Sequence, residues 1–417
     1  MTSFSPSPRA AAAIALLALT CLIVPLWIPA LAALALAVAT FLDARSVGAA
    51  PELTERFPQI VSRGIPASFE LAADAPDARQ IWLDQAAPVD VEVTPRGGGP
   101  RLSGTLTARR RGRHLLPPTG ERSEGPLGLG RRHHRYEPHE VLVYPDLPAA
   151  RRIATAVRRG RFREAGRVMR GPLGLGTDFE SIRDYLPDDD IRQVNWIASI
   201  RTGKPMSNQY RVEQDRDVMC VVDSGRLMAA PAGDRTRLDA AMDAVTAVAA
   251  VANVVGDRCG AIAFDDEVIR HVEPRRAGGD DVVRALFDIE ASDSESDYEL
   301  AFRTVSGGKR SLMVVFTDIV EDAAARPLVD AIPVIARRHA VIVASVLDPE
   351  LRTLLTNPPD DVDDVYALSV ALDVASARTR VAARLRQAGA TVVEGLPEDL
   401  ASVAVGAYLR AKSRGRT

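Results

Sequence analysis

The sequence predicts an α/β domain with a mostly parallel sheet, preceded by a small β domain and an apolar N-terminal segment. From about residue 216 onward, buried-strand patterns alternate with helical patterns. Between about residues 51 and 146, short strand patterns recur at regular spacing. Before them, no charged residue lies between Arg9 and Asp43. The 417 residues allow two or three domains, and we place the boundaries at 1–45, 46–148, 149–215 and 216–417.

Composition excludes several classes of protein. Lys and Arg number 52 against 55 Asp and Glu, so the net charge of −3 provides no basic field for nucleic acid. A hydrophobic content of 47% excludes global disorder. The three cysteines form no C-x-x-C pair, which excludes a disulfide framework and a cysteine zinc site and suits a reducing compartment.

The uncharged N-terminal stretch predicts a membrane hairpin. As one helix it would be about 50 Å long, whereas the hydrocarbon core needs about 30 Å. Pro25 and Pro29 interrupt it, and Trp27 between them suits a membrane–water interface. We therefore predict two short transmembrane helices, near Ala10–Val24 and Leu31–Leu42.

Two other interpretations of this stretch stay open. One is a cleaved signal peptide with a small-x-small site near Ala30 and Ala32, and the other is a single tilted span. In the hairpin, Arg9 and Arg45 flank the outer ends, and the positive-inside rule then places the soluble part in the cytoplasm, at the inner membrane.

The segment 46–148 predicts a β sandwich of immunoglobulin-like type. The predicted strands are Ala67–Ala72, Gln80–Leu83, Val89–Val93, Leu102–Ala108 and Val141–Val143.

Two basic clusters, Arg109–Arg113 and Arg131–Arg135, are interpreted as solvated strand ends beside anionic lipid headgroups. The alternative is phosphate or metal binding, since the second cluster contains His133 and His134.

The segment 149–215 is predicted to be a polar connector. Gly-Pro-Leu-Gly-Leu-Gly occurs at 125–130 and again at 171–176. Neither copy is followed by Lys-Ser/Thr, so neither is a P-loop, and neither sits in a dinucleotide-binding context. We interpret both as glycine-rich turns.

From residue 216 the pattern predicts strands and helices in alternation, with function expected at the carboxyl ends of the strands. The predicted strands are Val218–Val222, Cys259–Phe264, Glu267–Val272, Leu312–Phe316, Val341–Val346 and Thr391–Glu394. The predicted helices are Asp239–Val255, Asp322–Arg338, Arg378–Ala388 and Pro397–Lys412.

Polar side chains follow two of these strands, at Asp223 and at Thr317-Asp318, and Ser296 lies in a polar stretch between them. Carboxylate and hydroxyl oxygens on adjacent loops are ligands that Mg²⁺ prefers. The pattern resembles the von Willebrand factor A fold, whose metal-dependent adhesion site begins Asp-x-Ser-x-Ser. The resemblance implies Asp223, Ser296 and Asp318 as metal ligands.

The first loop departs from that pattern, because Gly225 and Leu227 stand where the two serines should be and Ser224 is out of place. The alternative is therefore a degenerate site, in which hydrogen-bonded loop ends hold no metal.

The connector contains a longer motif, from Gly176 to Arg201. It resembles the bacterial family called domain of unknown function fifty-eight, whose signature is G-x-E-F-x-x-L-R-x-Y-x-x-G-D-x-x-R-x-I-x-W followed by A-R. The matching residues are Phe179, Arg183, Tyr185, Asp189, Arg192, Trp196 and Arg201. The departures are Asp178 for Glu, Ile182 for Leu, Asp188 for Gly, Val194 for Ile and Ile200 for Ala.

The motif's arginines, acids and aromatics predict a buried clasp between connector and sheet, because planar Arg–carboxylate pairing suits fixed geometry. A protein-binding surface is the alternative, and a catalytic role lacks a nucleophile–base pair.

We therefore expect a non-enzymatic, membrane-anchored scaffold or adaptor. The family resemblance implies work with a MoxR-type AAA+ ATPase in chaperone-like assembly or maturation of protein complexes. One alternative is a Mg²⁺-dependent adhesion-type receptor, with Mg²⁺ as its cofactor. Another is a metal-assisted hydrolase using Asp188–Asp190 or Asp360–Asp364, although these acidic runs are typical of solvated turns.

Overall fold

Two units, Met1–Tyr144 and Pro145–Thr417, make up the computed structural model. It describes residues 2–20, 24–48, 51–164, 167–168, 178–186, 194–211, 216–307, 309–319 and 322–413. The division lies close to the boundary predicted at residue 148.

The first unit combines two apolar helices with sheets that are antiparallel except for one parallel pair, that of Ile60–Ser62 with His139–Tyr144. The helices are α1 (Pro8–Thr20) and α2 (Trp27–Ser46). The strands are β1 (Thr2–Pro6), β2 (Glu52–Arg56), β3 (Ile60–Ser62), β4 (Ala67–Asp74), β5 (Gln80–Asp84), β6 (Val91–Thr94), β7 (Gly97–Gly98), β8 (Arg101–Ala108), β9 (Gly112–Leu116), β10 (Gly120–Glu124), β11 (Gly130–Arg135) and β12 (His139–Tyr144). The five strands predicted here are all present, to within two residues at each end.

The strands of the first unit form sheets ordered β1-β11-β10-β5-β7, β2-β4-β8-β6 and β3-β12-β9. Alternate side chains of all three sheets meet in one core, which includes Leu83, Phe69 and Val143. The segment predicted as solvated strand ends, Arg131–Arg135, is instead part of β11 inside the first sheet, where Arg132 is buried. Five consecutive polar side chains hid this strand from a hydrophobic pattern.

The helix α2 is long and apolar enough to cross a membrane. It has a mean hydropathy of 1.8, and only 17% of its apolar window is buried. The helix α1 is apolar but shorter. The core helix Arg237–Val255 meets the same length and composition criteria, but 78% of its window is buried among protein, which is what a soluble core helix shows.

The strand β1 lies before the two helices and pairs antiparallel with β11, which lies after them. The chain therefore enters α1 and leaves α2 beside the same sheet. The sequence did not predict β1, because Thr2–Pro6 has no hydrophobic alternation.

The end of α2 is fixed by one carboxylate. Asp43, 3% exposed, accepts hydrogen bonds from the backbone N–H groups of Leu127 at 2.8 Å, Leu129 at 2.7 Å and Gly130 at 2.9 Å. A Cβ at Gly130 would lie 2.2 Å from the carbonyl oxygen of Thr40. The first glycine-rich turn thus binds the Asp43 carboxylate through its backbone N–H groups. The second copy, at 171–176, lies outside the described residues.

The second unit is a doubly wound α/β domain. Its helices are α3 (Leu147–Arg158), α4 (Trp196–Thr202), α5 (Arg237–Val255), α6 (Gly279–Leu286), α7 (Tyr298–Val305), α8 (Asp322–Ala336), α9 (Pro349–Thr356), α10 (Val362–Gln387) and α11 (Leu400–Ser413). Its strands are β13 (Arg163–Glu164), β14 (Arg167–Val168), β15 (Asp178–Asp184), β16 (Met206–Arg211), β17 (Asp217–Asp223), β18 (Pro231–Ala232), β19 (Arg235–Thr236), β20 (Arg258–Phe264), β21 (Val268–Arg276), β22 (Ser311–Phe316), β23 (Ala340–Val346) and β24 (Thr391–Gly395).

The main sheet has the order β21-β20-β17-β22-β23-β24. All neighbouring pairs are parallel except the edge strand β21, which is antiparallel to β20. The predicted parallel sheet is therefore confirmed. Its central strands are continuous apolar runs because both faces are covered: side chains alternate between one core with α5 and α11 and another with α7, α8 and α10.

Two elements differ from the sequence prediction. The helix α3 lies in the segment predicted as connector, yet its Ala150, Ala154 and Val157 belong to the core shared with α5. The helix α10 is 26 residues long and begins at Val362, far before the predicted Arg378. The acidic run before it forms its N-terminus, since Asp361 accepts the backbone N–H of Asp364 at 2.8 Å.

A buried ion pair ties the C-terminal helix to the amino-terminal edge of the sheet. The Lys412 ammonium donates to Asp257 at 2.5 Å, and the Tyr408 hydroxyl donates to the other carboxylate oxygen at 2.5 Å. All three residues are at most 5% exposed. Burial and the Asp257 charge raise the pKa of Tyr408 well above its usual range, so this hydroxyl stays protonated.

Replacing Lys412 by Met should destabilise the second unit by about 3–5 kcal/mol, because it leaves the Asp257 charge buried without its cation. The midpoint of urea unfolding, followed by loss of helical circular dichroism in detergent, measures this. The exposed ion pair of Lys204 with Asp184 is the control: Lys204→Met should change stability by less than about 0.5 kcal/mol. Equal effects of the two substitutions would contradict the prediction.

Candidate switch-point site

The candidate site lies where the order of the main sheet reverses. The next two strands of this sheet along the chain, β20 and β21, lie on one side of β17. The strand after them, β22, pairs with the other side of β17. In such sheets ligands bind outside the carboxyl ends of the strands at this point. Here β17 ends at Asp223, and β22 is followed by Thr317 and Asp318. A cleft of about 310 Å³ opens beside Asp223.

Four donors hold the buried Asp223 carboxylate. One oxygen accepts from the Gly225 N–H at 2.8 Å and the Ser296 hydroxyl at 2.5 Å. The other accepts from the Tyr298 hydroxyl at 2.7 Å and the Thr317 hydroxyl at 2.6 Å. Burial, and secondarily the Asp223 charge, raises the pKa of Tyr298 well above its usual range. The phenol therefore remains a donor.

The glycine at 225 makes this arrangement possible. A Cβ at that position would lie 2.2 Å from the Ser296 hydroxyl oxygen, so any side chain there would displace Ser296. Ser296 thus occupies the space that a first-loop serine would fill. Ser224 points elsewhere: its hydroxyl donates to the Phe264 carbonyl oxygen at 2.9 Å.

The second carboxylate, Asp318, is neutralised by arginines. Its side chain is 1% exposed and contacts the guanidinium groups of Arg237 and Arg378, the latter at 3.0 Å. Arg378 also donates to Glu394 at 3.2 Å and to the Val346 carbonyl oxygen at 2.9 Å. This network links α5, α10, β23 and β24 at the carboxyl edge of the sheet.

These contacts do not fit a bound Mg²⁺. A cation needs free carboxylate lone pairs, but two guanidinium groups contact the carboxylate of Asp318, and the Gly225 N–H already occupies one lone pair of Asp223. The sequence predicted Asp223, Ser296 and Asp318 as ligands. The structure brings Asp223 and Ser296 into hydrogen-bonding contact. Asp318 directly follows Thr317, but its arginine contacts oppose its assignment as a metal ligand.

The sequence places Thr317 at the end of its strand without indicating a role for it, and it does not assign Tyr298, Arg237 or Arg378 to this site. Thr317 and Tyr298 border the predicted strand-end segments, so their position was a usable signal. Arg237 and Arg378 lie on helices far away along the chain, and only the packing of those helices brings them to Asp318.

The family motif is described in part. Asp189 and Arg192 lie outside the described residues. Phe179 and Arg183 lie in β15, which pairs antiparallel with β16. The helix α4 begins at Trp196.

The predicted buried clasp does not include Trp196, which is 66% exposed, because α4 turns one face outward with Ile197 at 72% and Ile200 at 83%. The Arg183 guanidinium donates a hydrogen bond to the carbonyl oxygen of the next residue, Asp184, at 3.0 Å. Tyr185 donates its backbone N–H to Pro205, and Arg201 lies in the last turn of α4.

The two histidines of the second basic cluster contact side chains of the neighbouring strand. Within β11, His133 contacts the Ser5 hydroxyl at 2.8 Å and His134 contacts Thr2 at 3.1 Å. Burial, with Arg122 and Arg131, lowers the pKa of His133. Among the residues that the structure describes, no group of three or more His, Cys, Asp or Glu side chains could hold a metal ion.

Fold and site together define an α/β protein with two buried carboxylates at the switch point of its sheet, one held by neutral hydrogen-bond donors and the other paired with arginines. The family model "Protein of unknown function DUF58" matches residues 181–390, half of the chain. The chain belongs to this family, as its motif predicted. The match takes in β17, β22 and the whole candidate site.

The curated relatives that match this chain are described as uncharacterized proteins. Uncharacterized proteins Mb1516 of Mycobacterium bovis and Rv1480 of Mycobacterium tuberculosis are each 25% identical over 184 residues. The match covers 42% of this chain and 56% of each relative. The chain therefore spans about half the length of the curated relatives it matches.

Solved structures resemble only a small part of the chain. A PKD domain of an M14-like peptidase from a Thermoplasmatales archaeon is 13% identical, covering 22% of this chain and 92% of that one, with a TM-score of 0.15. The superoxide reductase (neelaredoxin) from Ignicoccus hospitalis is 12% identical, covering 23% and 80%, with a TM-score of 0.15. At these scores, neither likeness carries an argument.

Replacing Thr317 by Val should destabilise the carboxyl edge of β17 by about 1–3 kcal/mol, since the isosteric change removes one donor from a buried carboxylate. Hydrogen exchange of residues 217–223, measured by mass spectrometry, should speed up accordingly. Thr304→Val is the control, because the Thr304 hydroxyl is exposed and donates within its own helix. Unchanged exchange in Thr317→Val would show that the other three donors suffice.

Proposed function

We propose that this chain is a membrane-anchored, non-enzymatic scaffold or adaptor whose second unit is a von Willebrand A-like domain. The observation that carries the proposal is an open cleft at the switch point, beside a buried carboxylate whose oxygens already accept hydrogen bonds from four protein donors. Such a surface offers shape, apolar side chains and hydrogen bonds to a partner, without needing a cation.

The strand order supports the von Willebrand A-like assignment. The main sheet is doubly wound with one antiparallel edge strand, and Asp223, Ser296 and Asp318 all follow or lie between its central strands. For the first unit, three mostly antiparallel sheets around one core support the immunoglobulin-like assignment.

The chemistry of the cleft supports a binding role over catalysis. A hydroxyl nucleophile needs a base that takes its proton. The Ser296 hydroxyl does donate to the Asp223 carboxylate, but this carboxylate also accepts from Gly225, Tyr298 and Thr317, so its lone pairs are already shared among four donors. Among the described residues lining this cleft, none is His, Cys or Lys.

Membrane anchoring is supported by α2 and by the pairing of β1 with β11. A cleaved signal peptide would remove β1 from its sheet, and a single span would separate the paired strands. With Arg9 and Arg45 flanking the helices, the positive-inside rule favours the cytoplasmic side of the inner membrane for the rest of the chain.

The MoxR-type AAA+ ATPase is the partner that the family resemblance implies, and assembly or maturation of protein complexes is the process it implies. The cleft supports a protein partner in general. The alternative, a Mg²⁺-dependent receptor, retains the meeting of Asp223 with Ser296 in its favour and has the two arginines on Asp318 against it.

A pull-down of the detergent-solubilised full-length protein from its own cells, with Mg²⁺ and with EDTA, tests the proposal. An AAA+ ATPase should be retained in both conditions, within about twofold, because binding needs no cation. Asp223→Asn keeps an acceptor at the site and should retain it too.

Partners lost in EDTA would favour the metal-dependent receptor. Retention of no AAA+ ATPase would overturn that partnership. Turnover of phosphate esters or peptides by the purified protein would favour the hydrolase.

A further inference from the structure

A groove of about 870 Å³ runs between α7 and α8 and continues into the switch-point cleft. The two share Glu295, Ser296, Tyr298 and Pro327 in their linings. All residues that line the groove lie in the second unit, and the groove extends the candidate site from the sheet edge along two helices.

The α8 wall has the spacing of a helix-packing face. Pro327, Asp330, Ala331 and Val334 follow one another at i, i+3, i+4 and i+7, which places them on one stripe of the helix. Val334 is 71% exposed at the end of this stripe. An exposed valine that continues a packing stripe marks a surface able to take a further helix.

Two aromatic side chains of α7 form the apolar bottom of the groove. Phe302, 4% exposed, and Tyr298, 6% exposed, reach the groove from the core beneath it. The stripe on α8 spans seven residue steps, or about 10 Å. That length matches two turns of a partner helix, which is recognised through anchors at i, i+3 or i+4, and i+7.

The rim of the groove is acidic. Glu295, Asp297, Glu299 and Asp330 line it together with one cation, Arg303, among the residues that the structure describes. Glu295 also has Arg226 at 3.5 Å, but both side chains are more than half exposed, so this pair offsets little of the charge. Asp330 has Arg326 at 3.9 Å, but both side chains are more than two-thirds exposed, so this pair offsets little of the charge. The surrounding field therefore favours a cationic partner over an anionic one.

We infer that this groove binds one basic amphipathic helix of a partner protein, with apolar anchors against Phe302 and Val334 and cations facing the rim. The inference rests on the proposed adaptor function and adds the chemistry of the partner segment to it. It requires no metal and no group beyond the residues named.

Fluorescence anisotropy with the full-length protein in phosphatidylcholine nanodiscs tests the groove directly. The probe is a labelled 18-residue amphipathic helix of Leu and Lys. Val334→Asp should weaken its binding at least tenfold, because it places a charge on the apolar stripe. Val362→Asp is the matched control, since Val362 is 69% exposed on α10, and it should change binding less than twofold. Equal binding to both variants would overturn the inference.

Charge reversal tests the rim. The double variant Glu299→Lys/Asp330→Lys should weaken the Leu/Lys helix at least tenfold and strengthen a Leu/Glu helix of the same length. Glu273→Lys, an exposed change on β21, should do neither. If the Leu/Glu helix binds the native protein as well as the Leu/Lys helix does, the basic character of the partner is wrong.

The same variants separate this inference from the proposed function. A pull-down in which Val334→Asp retains the ATPase as well as the native protein would overturn the groove as its docking site and leave the adaptor function standing. A pull-down in which Val334→Asp loses the ATPase and Val362→Asp keeps it would support both.

Discussion

The hydrogen bonds to the Asp223 carboxylate organise the functional edge of the second unit. A charge buried at the end of a central strand is costly unless donors surround it. Gly225, Ser296, Tyr298 and Thr317 supply those donors from three separate segments of chain. By meeting this one requirement, the loop after β17, the loop before α7 and the end of β22 are held together, and the cleft beside them takes its shape.

Asp318 meets the same requirement by a different route. Its charge is balanced by Arg237 from α5 and Arg378 from α10, so two helices from opposite sides of the sheet are fixed to its carboxyl edge. A cation would have to compete with two guanidinium groups that are already in place. The charge of Asp318 is therefore paired within the protein, at the carboxyl edge of the sheet.

The first unit solves a comparable problem at the end of an apolar helix. Asp43 accepts three backbone N–H groups of the loop 127–130, and the absence of a side chain at Gly130 lets the helix backbone approach. The same loop would otherwise expose three unpaired donors. The pairing of β1 with β11 then fixes where the chain enters and leaves the two apolar helices, so both ends of this helical segment lie next to one sheet.

The sequence by itself determined the apolar helices, the strands of the parallel sheet and the positions of Asp223, Ser296 and Asp318, because period and strand-end position are local properties of the chain. Only the tertiary structure decided what those carboxylates bind. Arg237 and Arg378 are 141 positions apart and converge on Asp318 through helix packing. The polar strands β1 and β11, and the groove between α7 and α8, likewise depend on which segments become neighbours, and no local pattern carries that information.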